Sequence, residues 1–162
     1  SSEDYDEINV VANEVNRGVL AVGNFALTAV LLQKFAEMAA KYIPHWEIID
    51  YAHNEKRDAP SGTAKTILQI LDEELGRREK KYGREGMAER GKEIGVHVIR
   101  GGDIVGDHTV LFSGNFETIE LSHRAYDRSV FAQGALLATR WVTGKKPVIH
   151  GMDEVLVLGK HR

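Results

Sequence analysis

From Asp50 to Ala64 the chain reads Asp-Tyr-Ala-His-Asn-Glu-Lys-Arg-Asp-Ala-Pro-Ser-Gly-Thr-Ala, its densest crowding of histidine, lysine, carboxylates and a glycine-bearing turn. Pro60 biases Ala59 away from helical geometry, and Ser61 is placed to cap a helix that follows it. The backbone N–H groups of Gly62, Thr63 and Ala64 then point beyond a helix N-terminus, where orphan donors and the helix dipole attract an anion. Gly62 permits close approach, the Thr63 hydroxyl adds a donor, and Lys56 and His53 bring cationic or hydrogen-bonding side chains. On the residues alone this is a small carboxylate or phosphate pocket. Pro-Ser-Gly-Thr is also ordinary turn and cap chemistry, and a lone His53 is more often a satisfied polar residue, so the structural reading stands beside the functional one.

The elements around this run follow from periodicity. Tyr5, Ile8, Val11, Ala12 and Val15 recur at helical spacing until Gly18, and Val19 to Val22 then reads as a short buried parallel strand. Helix followed by buried strand is the second half of a βαβ unit. Asn24 is a candidate N-cap for a helix to about Tyr42, with Leu27, Val30, Leu31, Phe35 and Met38 on one stripe and Pro44 as its stop. Trp46 to Tyr51 reads as a strand, and the helix after Ser61 carries Ile67, Leu68, Leu71 and Leu75. The charged stretch Arg77 to Glu93 reads as a solvated loop or frayed helix. Strands are expected at Val96 to Arg100, Thr109 to Phe112 and Phe116 to Ser122, with Gly114-Asn115 as a hairpin signal. A helix from Val130 to Val142, the connector Lys145-Lys146-Pro147 and a strand Val155 to Leu158 end the pattern. The expected fold is α+β: an open mixed sheet of about four strands with helices on one face, flanked by partial Rossmann-type α/β elements at both ends. Three segments are expected, 1–24 and 130–162 belonging to a dinucleotide-binding domain and 25–129 forming a substrate-binding and oligomerisation domain.

Composition narrows the function classes. The 21 basic and 24 acidic residues are interspersed, which leaves no electrostatic footprint for nucleic acid. The longest apolar stretch, around Val19 to Leu32, is interrupted by Gly23 and Asn24 and is too short for a membrane span. A soluble, cytoplasmic protein is expected. With no cysteine there is no thiolate chemistry, and His45, His53, His97, His108, His123, His150 and His161 are too scattered to predict a metal site. His97, His108 and His123 lie on or beside strands and face either a shared cleft or the sheet surface. Asp103 and Asp107 read as turn formers.

The run Lys56 to Ala64 resembles the signature of dihydrodipicolinate reductases, in which a histidine pair precedes Lys-x-Asp-Ala-Pro-Ser-Gly-Thr-Ala. Three further stretches match in order. Gly23-Asn24-Phe25 resembles the family's hinge after its last cofactor-side strand, and Arg100 to Thr109 resembles its second signature. Glu120 to Ala125, with Arg128, Phe131, Ala132 and Gly134, resembles the return to the cofactor domain.

The resemblance implies an enzyme of diaminopimelate and lysine synthesis that adds hydride from NADPH or NADH to a cyclic dicarboxylate, with a proton going to the neighbouring carbon. It implies catalytic and substrate-side roles for His53 and Lys56, and a carboxylate-holding role for Ser61, Gly62 and Thr63. It places Gly23, Asn24, Phe25 and Arg128 on the cofactor side, and it implies a homotetramer assembled through the sheet of the substrate domain.

Two departures qualify it. Ala52 stands where the family has the first histidine of its pair, the usual proton donor, so the proton must come from His53, Lys56 or a bound water, or reduction is poor. No Gly-x-Gly-x-x-Gly follows a strand, and Ser1 falls partway through the family's pattern. The chain is therefore expected to be a fragment lacking most of the cofactor domain and inactive alone. The alternative is a non-catalytic dicarboxylate-binding or assembly module of the same family.

Overall fold

The computed structural model of the chain describes residues 2–158; of the seven histidines, His161 lies outside the described residues. The chain divides into two compact units, one of residues 31–128 and the other of residues 1–30 with 129–162.

The larger unit is organised by one strand. β2 (His45–Ala52) alternates strictly, with Trp46, Ile48, Asp50 and Ala52 buried on one face and Glu47, Ile49 and Tyr51 half-buried on the other. It pairs parallel with β4 (Ile94–Arg100) and antiparallel with β5 (Asp107–Ser113). β3 (Lys80–Tyr82) adds parallel to β4 and β6 (Thr118–His123) antiparallel to β5, giving a five-stranded mixed sheet in the order β3-β4-β2-β5-β6. The covered face packs Trp46, Ile48, Ile94, Val96, Val110 and Phe112 against two helices. Leu32, Ala36 and Ala40 come from α2 (Leu27–Ala40), and Ala64, Ile67, Leu68 and Leu71 from α3 (Gly62–Leu75), both at helical spacing. Small alanines on α2 let it approach the sheet, while Trp46 and Phe112 meet edge-to-face at 6.3 Å and fill the space between.

The α+β reading holds, with one strand more than expected. β3 lies inside the charged stretch assigned to loop or frayed helix. A three-residue strand shows no period-2 signal, and its lysines suit a sheet edge, where charge discourages further pairing. Asp72 on α3 fixes this segment by accepting the Arg78 N–H at 3.1 Å and pairing with Lys80. The last hairpin also differs: its loop spans residues 114–117, closed by Gly114 N–H to the Glu117 carbonyl at 2.9 Å, so Phe116 is fully exposed at the tip instead of starting β6.

The smaller unit contains α1 (Ser2–Glu14), β1 (Val19–Leu20), α4 (Ser129–Val142), β7 (Ile149–His150) and α5 (Met152–Val155). β1 and β7 pair in parallel. Val30, Ala138, Met152 and Val155 form its core with Leu20, Phe25, Leu27 and Trp141 against them. β1 is only half-buried, shorter than the four-residue strand expected, and Ala12 is the buried residue of the α1 stripe while Tyr5, Val11 and Val15 stay exposed. The expected strand from Val155 to Leu158 is a helical turn instead. Glu154 accepts the Gly151 N–H at 3.3 Å and a His150 ring contact at 2.9 Å, and Leu156 N–H bonds the Met152 carbonyl, so a local cap outcompetes extension. Asn24 accepts the Ala26 N–H at 2.8 Å as a turn two residues long, and helix α2 starts only at Leu27. Gly134 of α4 is required by close approach, because a Cβ there would sit 1.7 Å from the Phe25 carbonyl oxygen.

Candidate functional site

The chemistry-bearing loop is strung between β2 and α3. Lys56 N–H bonds the His53 carbonyl at 3.1 Å, which turns the chain as it leaves the strand. Asp58 offers its carbonyl to the Arg100 guanidinium at 2.7 Å. Ser61, extended at φ −62° and ψ 163°, caps α3 by accepting the Ala64 N–H on Oγ at 3.2 Å. Ala64 is therefore not among the donors left for a ligand, contrary to the sequence expectation. Gly62 is exposed, and nothing lies within 4 Å of where its Cβ would be. Thr63 is buried beside it.

Behind the cap is a row of polar residues that the sequence reading did not identify as a group. Asp50, His108 and His123 are cross-strand neighbours on β2, β5 and β6, all on the helix-covered face. Asp50 is wholly buried; its Oδ2 accepts the Ser61 N–H at 2.7 Å and the Arg100 guanidinium at 3.1 Å. His108 Nε2 lies 3.0 Å from Ser61 Oγ and 3.2 Å from Asp50 Oδ1. Burial opposes ionisation of Asp50, but the hydrogen bonds from His108, Ser61 and Arg100 prevail and hold its carboxyl well below the usual range. His123 stacks on His108 with ring centroids 6.0 Å apart, and burial together with the neighbouring His108 ring pushes its imidazole pKa down. His97, by contrast, sits on the opposite face, 2.8 Å from Glu47. The signal available in the sequence was phase: Asp50 continues the buried alternation of Trp46 and Ile48, and His108 that of Val110 and Phe112.

A cleft of about 340 Å³ opens at the C-terminal end of β2. His53, Asn54 and Glu55 form one wall, Gly102, Asp103 and Val105 another, and Arg128 reaches it as well. Asn54 N–H bonds the Gly102 carbonyl at 3.2 Å and Gly101 N–H the Ala52 carbonyl at 2.9 Å, so the two walls are tied together. The structure thus brings His53 and Arg128 to one cleft, whereas Lys56, Ser61, Gly62 and Thr63 do not line it. Lys56 Nζ instead pairs with Asp58 at 2.7 Å, a contact that pulls the Asp58 carboxyl pKa down. Gly23, Asn24 and Phe25 belong to the other unit, where Gly23 is exposed and Phe25 packs against the core. Among the described residues no three His, Asp or Glu side chains are grouped to hold a metal ion.

Residues 28–156 match the family model described as dihydrodipicolinate reductase, C-terminus. The chain belongs to the dihydrodipicolinate reductase family. The 4-hydroxy-tetrahydrodipicolinate reductase of Methanoregula boonei is 60% identical over 159 residues, covering 96% of this chain and 62% of that protein. That of Methanoculleus marisnigri is 56% identical over 159 residues, covering 97% and 63%. The dipicolinate-bound dihydrodipicolinate reductase of Paenisporosarcina sp. TG-14 superposes with a TM-score of 0.75 at 29% identity, over 93% of this chain and 59% of its own. The chain spans about three fifths of the length of these reductases. The dihydrodipicolinate reductase framework therefore covers both units, the loop after β2 and the polar row behind it.

Proposed function

We propose that this chain supplies the substrate-binding part of a 4-hydroxy-tetrahydrodipicolinate reductase of diaminopimelate and lysine synthesis. The observation that carries the proposal is the start of α3, where a buried Ser61 cap leaves an exposed Gly62 with open space in front of it. Such a terminus suits a carboxylate, and the solved Paenisporosarcina relative binds dipicolinate, a ring with two of them. Gly62 and Thr63 hold one carboxylate through the helix end, Lys56 supplies the cation, and Ser61 acts by shaping that end. His53, half-buried in the cleft, delivers the proton to the ring carbon, since an imidazole nitrogen can carry and release a proton while the Ala52 methyl cannot. Gly23, Asn24, Phe25 and Arg128 are assigned to the cofactor side by the family resemblance, and the exposed Arg128 guanidinium suits a phosphate group. NADPH or NADH supplies the hydride when bound.

The open face of the sheet presents Ile49, Tyr51 and Leu111 half-buried and Ile99 exposed, a surface we assign to homotetramer assembly. No helix among the described residues is long and apolar enough to cross a membrane, and a cytoplasmic location accords with the pathway. The test is NAD(P)H oxidation, with the dihydrodipicolinate precursor as substrate, by protein made from the complete native reading frame. Turnover that falls about a hundredfold or more in Lys56→Ala supports the role assigned to that lysine, and full activity in the variant removes it. Ala52 favours a second reading, a non-catalytic dicarboxylate-binding module, which predicts dipicolinate binding without turnover in the same preparation.

A further inference from the structure

Asp50 occupies a position where an apolar side chain would continue the row begun by Trp46 and Ile48. A wholly buried carboxylate there is costly unless it is paired and hydrogen-bonded, and replacing such a group by an apolar one is often neutral or stabilising for a fold. Its partners explain what it does. Oδ2 takes the Ser61 N–H, the first backbone group of the α3 cap, at 2.7 Å. Arg100, on the same oxygen at 3.1 Å, also holds the Asp58 carbonyl at 2.7 Å, so one ion pair grips the loop at both Asp58 and Ser61. His108 closes the third side, at 3.0 Å from the Ser61 hydroxyl. The guanidinium balances the carboxylate, and a site for an anion a few residues away is not opposed by an uncompensated negative charge.

We infer that Asp50, fixed by Arg100 and His108, is a positioning residue for substrate binding: it sets the direction of the Gly62 and Thr63 N–H groups and the span of the Lys56 loop without touching the ligand. The inference rests on the dicarboxylate reading of the proposed function. Because α3 is otherwise anchored by Ile67, Leu68 and Leu71, loss of the Asp50 contact tilts its first turn while the body of the helix stays packed.

The experiment measures dipicolinate affinity by calorimetry, and KM and kcat by steady-state kinetics, in protein from the complete native reading frame. Asp50→Asn keeps the shape and loses the charge. Dipicolinate Kd and substrate KM are expected to rise about tenfold together, with kcat and nicotinamide cofactor affinity within about threefold of the parent. Arg100→Met is expected to match that loss and Arg100→Lys to recover part of it, because a lysine can neutralise Asp50 but lacks the second guanidinium nitrogen that bonds the Asp50 and Ile99 carbonyls. If Asp50→Asn does not fold, the Arg100→Met and Arg100→Lys pair decides. Variants that fold with lowered Tm but with Kd and KM within about twofold of the parent make Asp50 a residue of the fold alone and overturn the inference. A parent protein that binds no dipicolinate overturns the dicarboxylate reading itself, and the inference with it.

Discussion

At the scale of single residues, Asp50 and His123, at the two ends of the buried polar row, carry opposite charges in their ionised forms but push stability the same way with pH. His123 has a depressed pKa because burial, then its neighbour His108, disfavours its charged form. The unfolded chain binds that proton near pH 6.5 and the folded chain only lower, so stability is lost as pH falls below about 6.5. Asp50 is also depressed, and its contribution is present above about pH 4 and lost as pH falls further. Urea unfolding followed by circular dichroism across pH 3 to 8 is therefore expected to show two successive declines. His123→Phe should remove the upper one, with slopes no steeper than about 1.4 kcal/mol per pH unit for each proton. The lower decline should remain in that variant. Neither group was legible as part of a network from the sequence, because the register that sets Asp50 beside His108 and His108 beside His123 is a non-local fact that no spacing along the chain contains. The loop from His53 to Thr63 was legible, since its turn, cap and glycine are local chemistry.

Among the elements, legibility followed length and phase. β2 has eight residues of alternating burial between Pro44 and a polar loop, and α3 repeats apolar residues over fourteen, so both were visible. β3 has three residues, two of them lysine, and owes its pairing to β4 and Asp72. Val155 to Leu158 is a short apolar run of the kind that suits strand and helix equally, and the Glu154 cap decided it. The contact between α4 and the segment before α2 yields a sharp expectation. In Gly134→Ala the new methyl must displace the Phe25 carbonyl, costing about 1–3 kcal/mol. Hydrogen exchange should show faster opening of α4 and β1, with the five-stranded sheet unchanged.

For the whole molecule, α2 and α3 cover one face of the sheet over β2, β4 and β5, whereas its other face is a mixture. Glu47 pairs with His97 at 2.8 Å and with Arg90, and beside them lie Ile49, Tyr51, Ile99 and Leu111 with no helix of the larger unit packed on them. An apolar patch rimmed by charge is the usual make-up of a subunit contact. If four copies meet through it, Ile99→Glu combined with Leu111→Glu should shift the protein to smaller species in sedimentation velocity while leaving its circular dichroism intact; tetramers that persist in the double variant place assembly elsewhere. The two tryptophans add a practical consequence of the two-unit architecture. Trp46 is dry, donates to the Ile43 carbonyl and lies under Arg78, 4.2 Å from its ring centre, in the larger unit. Trp141 is half-buried in the smaller one, edge-on to His150 at 5.1 Å and beside Lys145. Each unit thus carries its own intrinsic fluorophore, and the buried Trp46 is expected to emit further to the blue than the half-buried Trp141, so emission spectra alone can report which unit a ligand or a denaturant disturbs first.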